Sequence, residues 1–231
     1  MKDGFIQAFR KGNAITRLSA IILGLGNLAG KQIIKGILYL AMEVSFICFM
    51  IFKGMNCLAM LPSLGGREQQ EIWNEKLGVY EYVAGDNSLL ILLYGVATIF
   101  LIAAYVVLVM SSVKSAYNVQ SRLALGKHIN TFVEDVKSLF NENLHKLLLT
   151  LPVGGVLIFT ILPLIFMISM AFTNYSKVDS HLVLFDWVGL ENFKQLFDSG
   201  SSIGHSFWSV LGWTIIWAIF ATGLNYILGI L

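Results

Sequence analysis

LLILLYGVATIFLIAAYVVLVMSS, Leu89–Ser112, is 24 residues without one charged side chain. As a helix it would rise about 36 Å, more than the roughly 30 Å hydrocarbon core of a bilayer. The run is continuous rather than alternating, so it does not read as a barrel strand. Three more runs of this kind lie around it. They are Ile33–Phe52 (IIKGILYLAMEVSFICFMIF), Leu147–Phe172 (LLLTLPVGGVLIFTILPLIFMISMAF) and Ser206–Leu231 (SFWSVLGWTIIWAIFATGLNYILGIL). Across the 231 residues 56% are hydrophobic and 13% charged, against about 25% charged in soluble domains. The sequence predicts an all-α membrane protein with four transmembrane helices and additional interfacial helices.

The loops between the runs orient them. Residues 1–35 carry six basic side chains (Lys2, Arg10, Lys11, Arg17, Lys31, Lys35) and one acid, Asp3. Loop 53–88 has three basic and five acidic residues, loop 113–146 five and three, and loop 173–205 two and four. Basic-rich and basic-poor segments alternate, which by the positive-inside rule puts the N-terminus and 113–146 in the cytoplasm and the other two loops outside. Labelling from outside would then reach cysteines placed at Ser63 and Ser180 but not at Ser121. The first apolar run starts only near Ile33, with no cleavage site after a short apolar stretch, so it reads as a retained span. No basic residue follows the fourth run, and the chain is expected to be a fragment of a longer one.

Shorter elements sit between the spans. Ala14–Ala29 is apolar but short and glycine-rich, and reads as an interfacial segment; a fifth crossing is the alternative. Phe132–His145 has apolar residues at 132, 133, 136, 139, 140 and 144, a helical stripe suited to an elbow lying on the membrane surface. FDWVGLENFKQLF, Phe185–Phe197, predicts a short amphipathic helix outside the membrane, with Phe185, Trp187, Val188, Leu190, Phe193, Leu196 and Phe197 mostly on one side. Within the first span Glu43 would cost at least ~2.5 kcal/mol; it reads as protonated or hydrogen-bonded, holding helices together, or else as a polar group facing a pathway. Pro152 and Pro163 each remove a backbone hydrogen bond from the third span.

Several chemistries find no support in the residue pattern. Cys48 and Cys57 have no metal-ligand spacing and read as small buried hydrophobes; one helix through both would hold them too far apart for a disulfide. His128, His145, His181 and His205 are scattered in loops. No phosphate-binding glycine loop, nucleophile elbow or basic nucleic-acid stripe is present. No metal, cofactor, catalytic residue or nucleic-acid partner is expected.

The run FNENLHKLLLTLPVGGVLIFTILPLIFMISMAFTNYS (140–176), followed by FDWVGLENFKQLF, resembles the membrane subunits of binding-protein-dependent carbohydrate ABC importers. It is most similar to the larger, maltose/maltodextrin-type permease. LGLGNLAGKQIIKGILYLAMEVSFI (23–47) resembles the N-terminal extension of Gram-positive members. The resemblance implies a type I importer permease in a bacterial cell membrane, with residues 1–32 as an N-terminal segment, 33–131 as a two-helix extension, and 132–231 as the elbow and first two core helices. It implies a second permease subunit, a cytoplasmic ATPase dimer and an extracellular solute-binding protein as partners, with membrane lipid around them and no enzymatic role for this subunit. The family's ATPase-docking EAA loop has no counterpart in these residues. Trp187, Glu191, Asn192 and Phe193 become an extracellular cap or a binding-protein contact. A permease for glycerol phosphate or a monosaccharide, and a self-contained four-span assembly protein, are the alternatives.

Overall fold

The computed structural model describes residues 4–68, 70–75, 78–83, 85–175, 177–178, 181–182, 184–198 and 201–230, with the backbone alone at 82, 177–178 and 181–182. Lys2, Asp3, Ser176, Ser180 and Leu231, which enter the sequence reading, lie outside the described residues. The fold is mainly helical, and among the described residues four helices are long and apolar enough to cross a membrane: Ile33–Met60, Ser88–Ala124, Leu144–Met170 and Ser202–Ile230. Each differs at one or both ends from the apolar run that predicted it. The second continues 12 residues past Ser112, through Lys114 and Arg122, because a helix does not stop where the hydrocarbon does. The first runs on past Phe52 through a π-helical turn, Met50–Gly54, whose Lys53 ammonium stands 5.8 Å from the centre of the Tyr94 ring. In the third, a π-helical turn at Leu157–Ile161 ends two residues before Pro163, whose ring excludes a regular bond to the carbonyl four residues back.

The chain divides into two compact units, Met1–Phe166 and Met167–Leu231. In the first, the N-terminal segment forms α1 (Phe5–Lys11), α2 (Ala14–Leu18) and α3 (Leu25–Ala29). At about 1.5 Å per residue the five residues of α2 or α3 rise only ~7.5 Å, so neither crosses a membrane. Glycine lets this segment pack closely. At Gly24, with φ +81°, a Cβ would stand 2.4 Å from the Gly36 carbonyl oxygen, and at Gly26 one would stand 2.3 Å from Ala116 Cβ. Outside the spans, β1 (Gln70–Asn74) pairs antiparallel with β2 (Val79–Val83), Trp73 opposite Tyr80, with their rings edge to face at 4.9 Å. The β-branched and aromatic residues of VYEYV carried that strand signal, and the sequence reading passed over it.

The predicted elbow is shorter than its stripe. The helix is Phe132–Phe140 and opens on a full capping box: Thr131 Oγ1 accepts from the Glu134 N–H, and the Glu134 carboxylate accepts from the Thr131 N–H. Such a cap contributes about 1 kcal/mol. It ends where Asn143 donates backbone and side-chain N–H groups back to the Ser138 carbonyl, and a new helix starts at Leu144. Cys48 and Cys57 both lie on the first span and are free, and Cys48 is exposed rather than buried.

In the second unit the predicted helix over 185–197 exists only as Glu191–Phe197. The first six residues are extended or in a turn, because Trp187 bridges Thr173 and Gly189 takes φ +61°. Phe185, expected on the same helix face, instead sits beneath this loop, 3% exposed, its ring edge to face with Tyr175 at 5.3 Å.

Candidate functional site

Two polar constellations stand out, one in each unit. The first is a seam between the N-terminal segment and the first two spans. Glu43 is 7% exposed, and its Cα lies ten residues, about 15 Å of helical rise, beyond Ile33. Its Oε2 accepts the Leu23 backbone N–H at 2.8 Å and its Oε1 the Tyr105 hydroxyl at 3.3 Å. Leu23 lies in the turn between α2 and α3, where the backbone has no helical partner and a buried orphan N–H would be costly. Ser112 continues the seam, accepting from the Gly24 N–H at 3.0 Å and donating to the Ser19 carbonyl at 3.2 Å. Asn27 Nδ2 donates to Gln32 Oε1 and Ser115 Oγ, at 2.7 and 2.8 Å. Nearer the polar end, Gln120 Oε1 accepts from the Asn13 N–H and the Thr16 hydroxyl.

The seam is closed off below by ionic contacts. Lys35 Nζ meets Asp135 Oδ2 at 3.0 Å. Asn130 accepts from Arg122 at 2.7 Å and donates to Asp135 at 3.2 Å. These bonds tie the Phe132–Phe140 helix to both spans. Two backbone and side-chain bonds, from the Thr131 N–H and from His128, hold the Glu134 carboxyl below its ordinary pKa.

The second constellation caps the third span. The last carbonyls of an α-helix have no intrahelical partner. Here the Val188 and Gly189 N–H groups both donate to the Phe172 carbonyl, at 2.8 and 3.1 Å. Asn192 Nδ2 donates to the Ala171 and Thr173 carbonyls, at 2.9 and 2.7 Å. Asn174 Oδ1 accepts the Asp186 N–H at 2.7 Å. Phe193 lies 5.2 Å from Phe172, ring centre to ring centre. AFTN and DWVGLEN are thus the two halves of one cap.

Of the four residues singled out there, Asn192 and Phe193 hold the cap from inside. Trp187 pairs through its backbone and stays 38% exposed. Glu191 is on the rim, 3.1 Å from Lys194. Glu43 belongs to the other unit. The sequence reading missed Asn174 and Tyr175, which with Thr173, Asn192 and Phe193 line a groove of about 470 Å³; their polar and aromatic types next to AFT were the available signal. Among the described residues no group of three His, Cys, Asp or Glu side chains is placed to hold a metal ion.

Known proteins resemble this chain in sequence. It is 32% identical to the maltodextrin transport system permease protein MalC of Streptococcus pneumoniae serotype 4, over 92% of this chain and 46% of the relative. It is 31% identical to MdxF, the maltodextrin transport system permease protein of Bacillus subtilis, with the same coverage. To GanP, the galactooligosaccharides transport system permease protein of Bacillus subtilis, it is 30% identical over 94% of this chain and 48% of the relative. The chain spans about half the length of the curated relatives it matches. No family model matches it, and no solved structure does. The likeness to transport-system permease proteins extends over nine-tenths of the chain, which carries four apolar helices of membrane-crossing length.

Proposed function

We propose that this chain is part of the membrane-spanning permease subunit of an ATP-driven importer for maltodextrin or a similar oligosaccharide. The observation that carries this reading is the 30–32% identity to three oligosaccharide permeases over 92–94% of the chain. In this reading ATP hydrolysis belongs to a separate cytoplasmic ATPase pair, a second permease subunit completes the pathway, and an extracellular binding protein delivers the sugar. Residues 1–32 form the N-terminal segment, 33–131 a two-span extension, and 132–231 the surface helix with the first two core spans. The loop charges support a cytoplasmic N-terminus and an outward-facing 173–205 loop.

Glu43 then serves as an internal anchor rather than a sugar contact, since both its oxygens already accept bonds that fix the N-terminal segment. The Trp187, Glu191, Asn192 and Phe193 patch is the outer cap of the third span, and its exposed Trp187 and Glu191 edge is where a binding protein would touch. Uptake of radiolabelled maltotriose and of a galactooligosaccharide, in a strain deleted for the full-length gene, tests the proposal. Loss of one uptake, restored by the gene, is the expected result; uptake of both sugars at wild-type rate would refute it. A strain that loses only galactooligosaccharide uptake would assign the narrower substrate to which GanP points.

A further inference from the structure

Two adjoining cavities, sharing Lys35, Ser115 and Asn118, form a groove between the first and second spans at their polar ends. One lobe, about 410 Å³, is lined by Lys35, Tyr39, Val107, Met110, Ser111 and Lys114. The other, about 260 Å³, adds Arg122 and Asp135. The two spans are antiparallel here: Tyr39 Oη is 2.9 Å from Ser111 Oγ, and Phe46 stacks on Tyr105 at 4.0 Å. That register brings two boundary markers to one level. Lys114 is the first charge after the uncharged stretch that begins at Leu89, and Lys35 is the third residue of a span with no further charge before Glu43. Both therefore stand where hydrocarbon gives way to headgroups.

The charges lining the groove do not balance. Lys35, Lys114 and Arg122 face one acid, Asp135, which leaves an excess of two positive charges. Lys35 is held by Asp135. Lys114 is exposed, and no hydrogen bond or ion pair to it is found among the described residues. Hydroxyls of Tyr39 and Ser111 line the same lobe, with Val107 and Met110 as an apolar wall toward the bilayer. Basic pockets between membrane helices at the headgroup level suit anionic lipids.

We propose that this groove binds one anionic phospholipid. Its phosphate sits between Lys114 and Lys35 within reach of the Tyr39 and Ser111 hydroxyls, and an acyl chain lies along Val107 and Met110. The charge excess selects a negative headgroup, and the apolar wall at membrane depth selects a lipid over a soluble anion. The proposal needs only the four-span fold and stands apart from the choice of transported solute or orientation.

Native mass spectrometry of the full-length protein, with phosphatidylglycerol or phosphatidylcholine added in detergent, provides the test. Phosphatidylglycerol adducts should outlast phosphatidylcholine adducts. Lys114→Gln should reduce that preference about fivefold, the weight of roughly one basic side chain at an anionic surface, while Lys114→Arg keeps it. Because Lys114 is exposed, both variants should melt at the wild-type temperature in the same samples. Equal retention of the two lipids, an unchanged preference in Lys114→Gln, or displacement of the lipid by inorganic phosphate would each overturn the proposal. So would a photo-crosslinker at position 114 that captures a protein helix instead of lipid.

Discussion

At Leu23 a backbone N–H is met by the buried Glu43 carboxylate, well inside the first span. At Ala171 and Thr173 two backbone carbonyls are met by the Asn192 amide, at a surface turn. Both arrangements satisfy main-chain groups that no helix provides for, but their surroundings differ. Glu43 is buried, so loss of a partner there would expose most of the desolvation penalty. Around Asn192 water can take over much of the lost bonding. The same kind of bond is therefore an anchor in one region and a positioning device in the other. Burial differs along the chain as well: the most apolar windows of the first two spans are 11% and 22% buried within the chain, those of the third and fourth 0%.

The largest effect is expected from Glu43→Leu. It strands the Leu23 N–H and the Tyr105 hydroxyl together, at a cost on the order of 3 kcal/mol, read as a lower melting temperature of the full-length protein in detergent. Glu43→Gln, which keeps an acceptor, should lose clearly less; equal loss from both variants would break the anchor reading. Next comes Gly24→Ala, which puts a side chain at φ +81° against the Gly36 carbonyl and should cost about 2 kcal/mol. An unaltered melting temperature there would mean that the turn beside Gly36 is looser than the structure has it.

Asn192→Ala should cost about 1 kcal/mol and act locally, speeding amide exchange at Val188 and Gly189 while leaving the Leu23 amide unchanged. A uniform change across both regions would dissolve the distinction between them. The smallest effect concerns the loop before the second span. N–H groups of Gly66 and Arg67, then the Arg67 guanidinium, hold the Asp86 carboxyl below its ordinary pKa of 3.8. A depressed folded pKa means that its stabilising contribution is complete above the ordinary value and disappears as pH falls through the lower, folded one. Exchange at Gly66 and Arg67 should therefore accelerate only below about pH 3.8, and Asp86→Asn should abolish that acid step.

The spans were legible because a membrane helix advertises itself as a long uncharged run, and only their ends moved. Loop geometry was less so. Counting apolar residues over Phe185–Phe197 suggested one helix, but Trp187 and Gly189 obey a strand bridge and a left-handed turn that periodicity does not see. Asn143 likewise cut the elbow helix at Phe140. Glu43 was visible as an oddity within an apolar run, yet its partner was not, since a backbone N–H twenty residues upstream carries no side-chain signature. AFTN and DWVGLEN were recognised by likeness; that they form one cap follows from the bonds of Asn192, Val188 and Gly189.

Both the cap's proposed role and the surface helix's depend on sidedness. With Cys48 and Cys57 replaced, single cysteines at Ser63, Leu190 and Lys127 of the full-length protein can be exposed to a membrane-impermeant maleimide in intact cells. The four-crossing arrangement predicts labelling at 63 and 190, and at 127 only after permeabilisation; labelling of 127 in intact cells, with 63 and 190 protected, would contradict it.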